Sequence, residues 1–349
     1  MLKILKATWW KFLSIPLLIY IVAFGLLQPI APGISSIHQD KITIGEVNFI
    51  SIETYNTHLE EAASSSQAWL KNGETFICGV FTEIKNNTAI IGFPIARKDY
   101  EKRFFDLIIN NDIDGTFELR DALVPAENFG NNSFSDVDCK VEVNTNESAF
   151  FTFPNREILK ESIRNLFFHV CMWFAMVFLL IFSLGSSVAY LNTGKKPWDT
   201  MAHLAVVTAM VFGALGILTG MVWAKFTWGA FWPNDPKLNG VLVAMLAYLA
   251  YLILRGSAKD ESKKGRLAAV YNIFAFVLYI IFIYVIPKFS SSLHPGMGGN
   301  PAFSEYDLDS SLRIVFYPAV IAWTLLAFWL FSILLRIELI NEDLEDQLI

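Results

Sequence analysis

Hydrophobic and polar positions along this chain follow two patterns. Six stretches are apolar on every side: Phe12–Ile30, Asn165–Asn192, Thr200–Ala224, Leu238–Leu254, Leu267–Pro287 and Ile314–Leu335. None of them contains Asp, Glu, Lys or Arg. Crossing about 30 Å of hydrocarbon takes about 20 mostly apolar helical residues. Each stretch is therefore expected to be a transmembrane helix, the shorter fourth one spanning with little tilt. Residues 31–161 are different. They are polar, and apolar residues alternate there in short runs, the period of half-buried strands. Lys41–Glu53 reads as one strand, Thr75–Glu83 and Thr88–Pro94 flank an Asn86-Asn87 turn, and Phe105–Ile109 and Thr116–Leu119 flank a loop ending Asp114-Gly115. Val141–Val143 and Ala149–Phe153 form a last expected pair, and Leu59–Leu70 reads as a short helix. Strands at this spacing predict an antiparallel β-sandwich.

The fold class expected is a membrane all-α protein, a six-transmembrane-helix bundle with an inserted periplasmic β-rich, sandwich-like domain. The boundaries are 1–33 for the first helix, 34–160 for the insert, 161–337 for a five-helix membrane domain and 338–349 for a cytoplasmic tail. Composition agrees: 54% of residues are hydrophobic and only 17% charged, against roughly 25% charged in soluble domains. The net charge of −6 says little about partners, because a membrane sorts charges by loop. Lys and Arg concentrate on the cytoplasmic side of spans. Lys3, Lys6 and Lys11 precede the first span, Lys195 and Lys196 follow the second, Arg255, Lys259, Lys263, Lys264 and Arg266 follow the fourth, and Arg336 follows the sixth. Both termini are thus expected in the cytoplasm and the insert in the periplasm. The first span is long for a signal-peptide core, and Gln28–Gly33 offers no small-x-small cleavage site, so it is expected to remain uncleaved.

Two of the three cysteines, Cys78 and Cys139, fall in the insert, where a disulfide is one outcome, while Cys171 reads as a small buried residue of the second span. Histidine is scarce. His169 lies at the outer end of the second span and His294 in the last outward loop, within Ser291-Ser-Leu-His294-Pro-Gly-Met. Two neutral imidazoles approaching from opposite sides can fill both axial positions of a haem iron. Taken alone, each also reads as an interface or loop residue. Between spans three and four runs Trp223-Ala-Lys-Phe-Thr-Trp228-Gly229-Ala-Phe231-Trp232-Pro-Asn-Asp235-Pro-Lys237. Aromatic residues do gather at membrane interfaces, but this loop is denser than such a belt. It can lie flat on a porphyrin, with Asp235 and Lys237 fixing the loop or meeting propionates. His203 reads as structural, and His38 and His58 as surface residues of the insert. No basic patch of the nucleic-acid-binding type is present.

These residues resemble the CcmC family of haem-handling proteins of cytochrome c biogenesis, within the CcmC/CcmF/CcsA superfamily. The family loop W-G-x-W-W-x-W-D is matched by Trp228-Gly229-Ala230-Phe231-Trp232-Pro233-Asn234-Asp235, with Phe and Asn at two of its tryptophans. Pro236-Lys237 is closer to the synthase branch, CcsA. The family's first His-Val-Pro is matched by His169-Val170, with Cys171 for the proline and Trp173 nearby, and its Leu-His loop by Leu293-His294. The resemblance implies haem b held transiently by His169 and His294 on the iron. Trp173, Trp223, Trp228, Gly229, Phe231, Trp232 and Asp235 would lie around it, with Arg164 and Lys237 placed for the propionates. It further implies a bacterial inner membrane, a periplasmic haem chaperone, ABC-transporter subunits and membrane lipid as partners. The expected role is that of a holder, not a catalyst. Two other readings stand beside it: a haem lyase that attaches haem to apocytochrome, and a receptor that senses through the β-domain. Family members usually join the first two spans by a short loop, so the insert's role does not follow.

Overall fold

The computed structural model describes residues 8–98, 100–130, 151–156, 159–258, 260–294 and 308–348. The chain divides into two compact units, Met1–Leu27 with Glu161–Ile349, and Gln28–Lys160.

The first unit is helical. Among the described residues, six helices are long and apolar enough to cross a membrane. They are α1 (Trp9–Leu27), α2 (His169–Thr193), α3 (Lys196–Trp228), α4 (Pro236–Ser257), α5 (Glu261–Ile280) and α6 (Ser310–Leu348). A 3₁₀ turn, Lys160–Phe167, leads into α2, and α5 runs on through a π segment, Ile281–Val285, and a second 3₁₀ turn, Ile286–Phe289. Residues 338–348, expected as a tail, continue α6. Large apolar side chains point outward along the bundle, among them Phe226 (78% exposed), Ile253 (65%) and Leu218 (60%). Lipid satisfies such a surface and water does not.

Small residues let the helices approach. A Cβ on Gly213 of α3 would fall 2.7 Å from the Met245 sulfur of α4 and 2.9 Å from that of Met176 of α2. One on Gly240 of α4 would meet the Phe282 carbonyl oxygen at 2.4 Å. Close backbone packing of this kind replaces the hydrophobic drive that lipid removes. Hydrogen bonds add to it. Asn272 of α5 donates to Ser183 and Ser187 of α2 at 2.7 and 2.8 Å, and Ser183 donates to the Ala202 carbonyl of α3 at 2.7 Å. At the far end of α3, Arg255 meets Asp199 through two parallel 2.7 Å hydrogen bonds.

The second unit is one eight-stranded sheet in the order β1-β3-β6-β5-β4-β7-β8-β2, which corrects the expected two-sheet sandwich. The connectivity forces it to roll. The edge strands β1 (Gly33–Ile37) and β2 (Lys41–Ile44) are joined only by His38, Gln39 and Asp40. Such a link reaches at most about 14 Å, whereas eight strands laid flat would be about 34 Å wide. The sheet therefore curls into a partial barrel around Ile42, Ile50, Ile52, Leu70, Ile91, Phe93 and Leu107.

Other expectations are corrected by local chemistry. Lys41–Glu53 is broken by Gly45, at φ +85°, into β2 and β3 (Val47–Tyr55). Leu59–Leu70 is not a helix. Turns occupy residues 59–65, and β4 (Gln67–Asn72) begins two residues later. The hydroxyls of Ser65 and Ser66 both bond back to the Ala62 carbonyl, which stops a nascent helical turn. Gly73-Glu74 then turns the chain into β5 (Thr75–Lys85), with Gly73 at φ +58°. The Asn86-Asn87 hairpin to β6 (Thr88–Pro94) and the Asp114-Gly115 turn from β7 (Phe105–Asn111) to β8 (Gly115–Phe129) form where expected, although β8 is much longer. Val141–Val143 and the first two residues of Ala149–Phe153 lie outside the described residues. Phe153 bridges to Ile30, so the two ends of the unit meet. Cys78 is disulfide-bonded and Cys171 is free; Cys139 lies outside the described residues.

A histidine pair along one face of α3

His169 opens α2 and packs on α3. Its Nδ1 lies 2.9 Å from the Gly216 carbonyl oxygen and 3.2 Å from Thr219 Oγ1, and the Trp173 indole N–H points at its Nε2 from 3.3 Å. A carbonyl only accepts and an indole N–H only donates. Nδ1 therefore carries the hydrogen and Nε2 the lone pair. Thr219 directs its own hydrogen at the Leu215 carbonyl, 2.8 Å away, and is free to accept from Nδ1 as well.

Gly216 and Gly220 make the contact possible. A Cβ on Gly216 would fall 2.8 Å from the Trp173 ring, and one on Gly220 2.5 Å from His169 Cε1. His169 and Trp173 stand one helical turn apart on α2, and the two glycines one turn apart on α3, so the pairs interlock. The same face of α3 continues to Trp223, three residues on, and the Trp228 ring at the end of the helix meets Trp223 edge to face, with centroids 4.7 Å apart. Here the second histidine joins it. The His294 ring sits 4.9 Å from Trp228 and 6.4 Å from Trp223. The charges of His294 and Lys237 both act on His169, which places the three in one electrostatic neighbourhood.

Asp235 is what holds His294 there. It is 1% exposed. Its Oδ1 accepts from the backbone N–H of Lys237 and Leu238 at 2.9 and 3.2 Å, capping α4, and its Oδ2 accepts from Leu293 N–H at 2.8 Å. His294 Nδ1 lies 3.3 Å from Oδ1. That is ion-pair range, but the alignment falls short of a hydrogen bond, and Nδ1 has no better partner. Burial opposes the charge on Asp235. The nearby His294 imidazole and the donors from Leu293, Ser292 and Leu238 outweigh it and hold the carboxyl well below the usual carboxylate range. Burial pushes the His294 pKa below its ordinary value, against the pull of Asp235.

The expected site residues thus separate into groups. His169, Trp173, Trp223, Trp228, Asp235, Lys237 and His294 belong to one neighbourhood. Gly229, at φ +80°, ends α3 in the left-handed conformation and turns the loop. Phe231 is 54% exposed and stacks under Lys225, and the Trp232 indole donates to Asn239 at 3.2 Å. Both rings are thus turned to partners other than the histidines. Arg164 is committed elsewhere, bonding Glu161 and the Gly25 carbonyl at the end of α1. Gly216, Thr219 and Gly220 were missed from sequence. The small-xxx-small spacing of Gly216 and Gly220 was the available signal. His203 lies near the other end of α3 with its Nδ1 buried and unpartnered. Among the described residues, no cluster of three or more His, Cys, Asp or Glu is arranged to hold a metal ion.

These residues can accept a haem. One imidazole presents a fixed Nε2 lone pair, the other has its Nδ1 turned to a carboxylate, and indole rings border the second. A carboxylate or carbonyl behind the distal nitrogen is the usual way a ligating imidazole is oriented.

The model of the family described as Heme exporter protein C matches residues 137–349, more than half of the chain. The chain is 28% identical over 190 residues to "Heme exporter protein C" of Bradyrhizobium diazoefficiens, covering 52% of this chain and 68% of that protein. It is 23% identical over 135 residues to the protein of the same name from Paracoccus denitrificans, covering 39% of this chain and 56% of that one. With "Cytochrome c biogenesis protein CcsA" of Prochlorococcus marinus it shares 31% identity over 86 residues, 25% of this chain and 28% of the relative. The chain thus spans only about a quarter of that CcsA relative.

Proposed function

The chain belongs to the Heme exporter protein C family, and from that premise we propose that it holds haem for cytochrome c biogenesis. His169 and His294 are the axial ligands of a transiently bound haem b, each through Nε2. Trp223 and Trp228 border the porphyrin on the His294 side, and Lys237 meets a propionate. The six apolar helices span the bacterial inner membrane. The excess of Lys and Arg at the opposite ends of the spans puts this site on the periplasmic face and both termini in the cytoplasm. Haem passes from here to a periplasmic chaperone, with ABC-transporter subunits as neighbours in the membrane. The protein acts as a platform and contributes no bond-making residue.

The observation that carries this reading is the pair of histidines on one face of α3, one with its tautomer set by Gly216 and Trp173 and the other backed by Asp235. The test is an optical spectrum of the detergent-purified protein supplied with haem. Wild type is expected to give a low-spin bis-imidazole haem b spectrum, weakened or made high-spin in both His169→Ala and His294→Ala. A wild-type protein that takes up no haem sinks the proposal. The CcsA likeness supports one second reading, a lyase that attaches haem itself. Thioether formation on an apocytochrome peptide without any chaperone would favour it.

A further inference from the structure

We propose that Trp173 is a positioning residue that occupies the iron-binding nitrogen of His169 until haem arrives, and so sets the rate at which haem is taken up and released. This rests on His169 being an axial ligand. His169 has one lone pair, on Nε2, and the Trp173 indole N–H points at it from 3.3 Å. Iron needs that same lone pair, so the hydrogen bond and the iron bond exclude each other. On the other side of the ring, Nδ1 keeps its hydrogen on the Gly216 carbonyl whichever partner Nε2 has. The ring therefore stays in place, and the exchange needs only the indole to give way. No proton moves in the exchange: the indole keeps its hydrogen and Nε2 changes from hydrogen-bond acceptor to iron donor.

The indole belongs to the same turn-spaced pair as the ligand, and it is confined by Gly216, where a Cβ would fall 2.8 Å from its ring. The length of 3.3 Å marks a weak bond, which suits a group that must be displaced. A holder that delivers its cargo onward is served by this arrangement. An empty site keeps a buried acceptor satisfied, and a departing haem is replaced by a group already alongside.

Trp173→Phe tests it, because phenylalanine keeps an aromatic ring and removes only the donor. A net hydrogen bond of this kind corresponds to about a 3- to 10-fold change in an equilibrium. In the haem-free protein, carbethoxylation of His169 by diethyl pyrocarbonate, followed by mass spectrometry, is expected to speed up by about that factor, since Nε2 is the nucleophile. Haem association followed by stopped-flow absorbance is expected to accelerate likewise, with the final spectrum still low-spin. Unchanged or slower modification and association, with low-spin haem intact, overturns the inference while leaving the holder reading standing. Wild type that binds no haem, or His169→Ala that keeps the low-spin spectrum, fails the holder reading instead. If the Phe variant does not fold, ultraviolet resonance Raman of wild type decides. A hydrogen-bonded indole signal lost on haem binding supports the inference, and one that haem leaves unchanged overturns it.

Discussion

Gly220 of α3 lies directly beneath His169: a Cβ at residue 220 would fall 2.5 Å from the imidazole Cε1. The ring cannot rotate aside at no cost, because both of its nitrogens are engaged. Gly220→Ala therefore opposes two effects. Alanine favours the helix by about 1 kcal/mol, while overpacking at the ring costs about 1–3 kcal/mol. Haem affinity is expected to fall roughly fivefold or more, with little loss of thermal stability. Haem titration beside a melting curve in detergent checks both, and a variant that binds as wild type does contradicts the packing argument.

Asp235 does two jobs with one carboxylate, capping α4 and anchoring the loop that carries His294. Asparagine still caps a helix, so Asp235→Asn is expected to lose mainly the loop anchor. Alanine loses both, with about 1 kcal/mol from the cap alone and a further 1–3 kcal/mol or so from the buried donors left unmet. In both variants the haem spectrum is expected to shift toward high spin as His294 is released. Equal melting temperatures for alanine and asparagine would show that the cap contributes nothing.

The Asp199–Arg255 pair sits 21 residues down α3 from Gly220, about 32 Å along the axis. Its side chains are 14% and 11% exposed. Removing one partner of such a pair strands a charge and costs about 3–5 kcal/mol, while replacing both is far milder. Asp199→Asn is expected to lower stability by an amount of that order, discounted for the residual exposure, and to leave the haem spectrum unchanged. A spectral change would mean that the two ends of α3 are coupled.

In the β unit, His58 Nδ1 lies 2.8 Å from Asp114 Oδ1, and the His58 backbone N–H also donates to Asp114. The hydrogen bond to Asp114 raises the His58 pKa above its ordinary 6.5, against a smaller opposing effect of burial, with the negative charges of Asp114 and Glu61 assisting. A raised value means that the folded state holds the proton more tightly. The contribution to stability is complete below pH 6.5 and is lost as pH rises through the shifted value. Amide exchange in turns 59–65 of the full-length protein is expected to quicken above that point. His58→Gln should remove the pH dependence, and exchange that ignores pH in wild type would refute the assignment.

The six long apolar helices were legible because a membrane-crossing helix needs about 20 apolar residues in one run, a signal that survives without knowledge of any neighbour. The histidines and the aromatic loop were legible by type and order. Their contacts were not. That Trp223 and Trp228 turn toward His294 while Trp232 bonds Asn239 is decided by where α4 begins, and Arg164 is claimed by the end of α1. In the insert, hairpins with Asn-Asn and Asp-Gly turns were readable from two residues each. The parallel pairing of β2 with β8 was not, since it joins positions about 80 residues apart. The Gly73-Glu74 hairpin was hidden because the apolar positions of Leu59–Leu70 (Leu59, Ala62, Ala63, Ala68, Trp69 and Leu70) also fit one face of a short helix.

The bridge between Ile30 and Phe153 bears on how the bundle can assemble around so large an insert. An unstructured tether of about 130 residues between α1 and α2 would carry a closure entropy growing with the logarithm of its length, about 3 kcal/mol more than a five-residue loop. Once the β unit has folded, its ends are pinned together and the tether behaves as a short one. Folding of the insert thus raises the effective concentration of α1 beside its partners, and a chain that misfolds there is expected to lose α1 first.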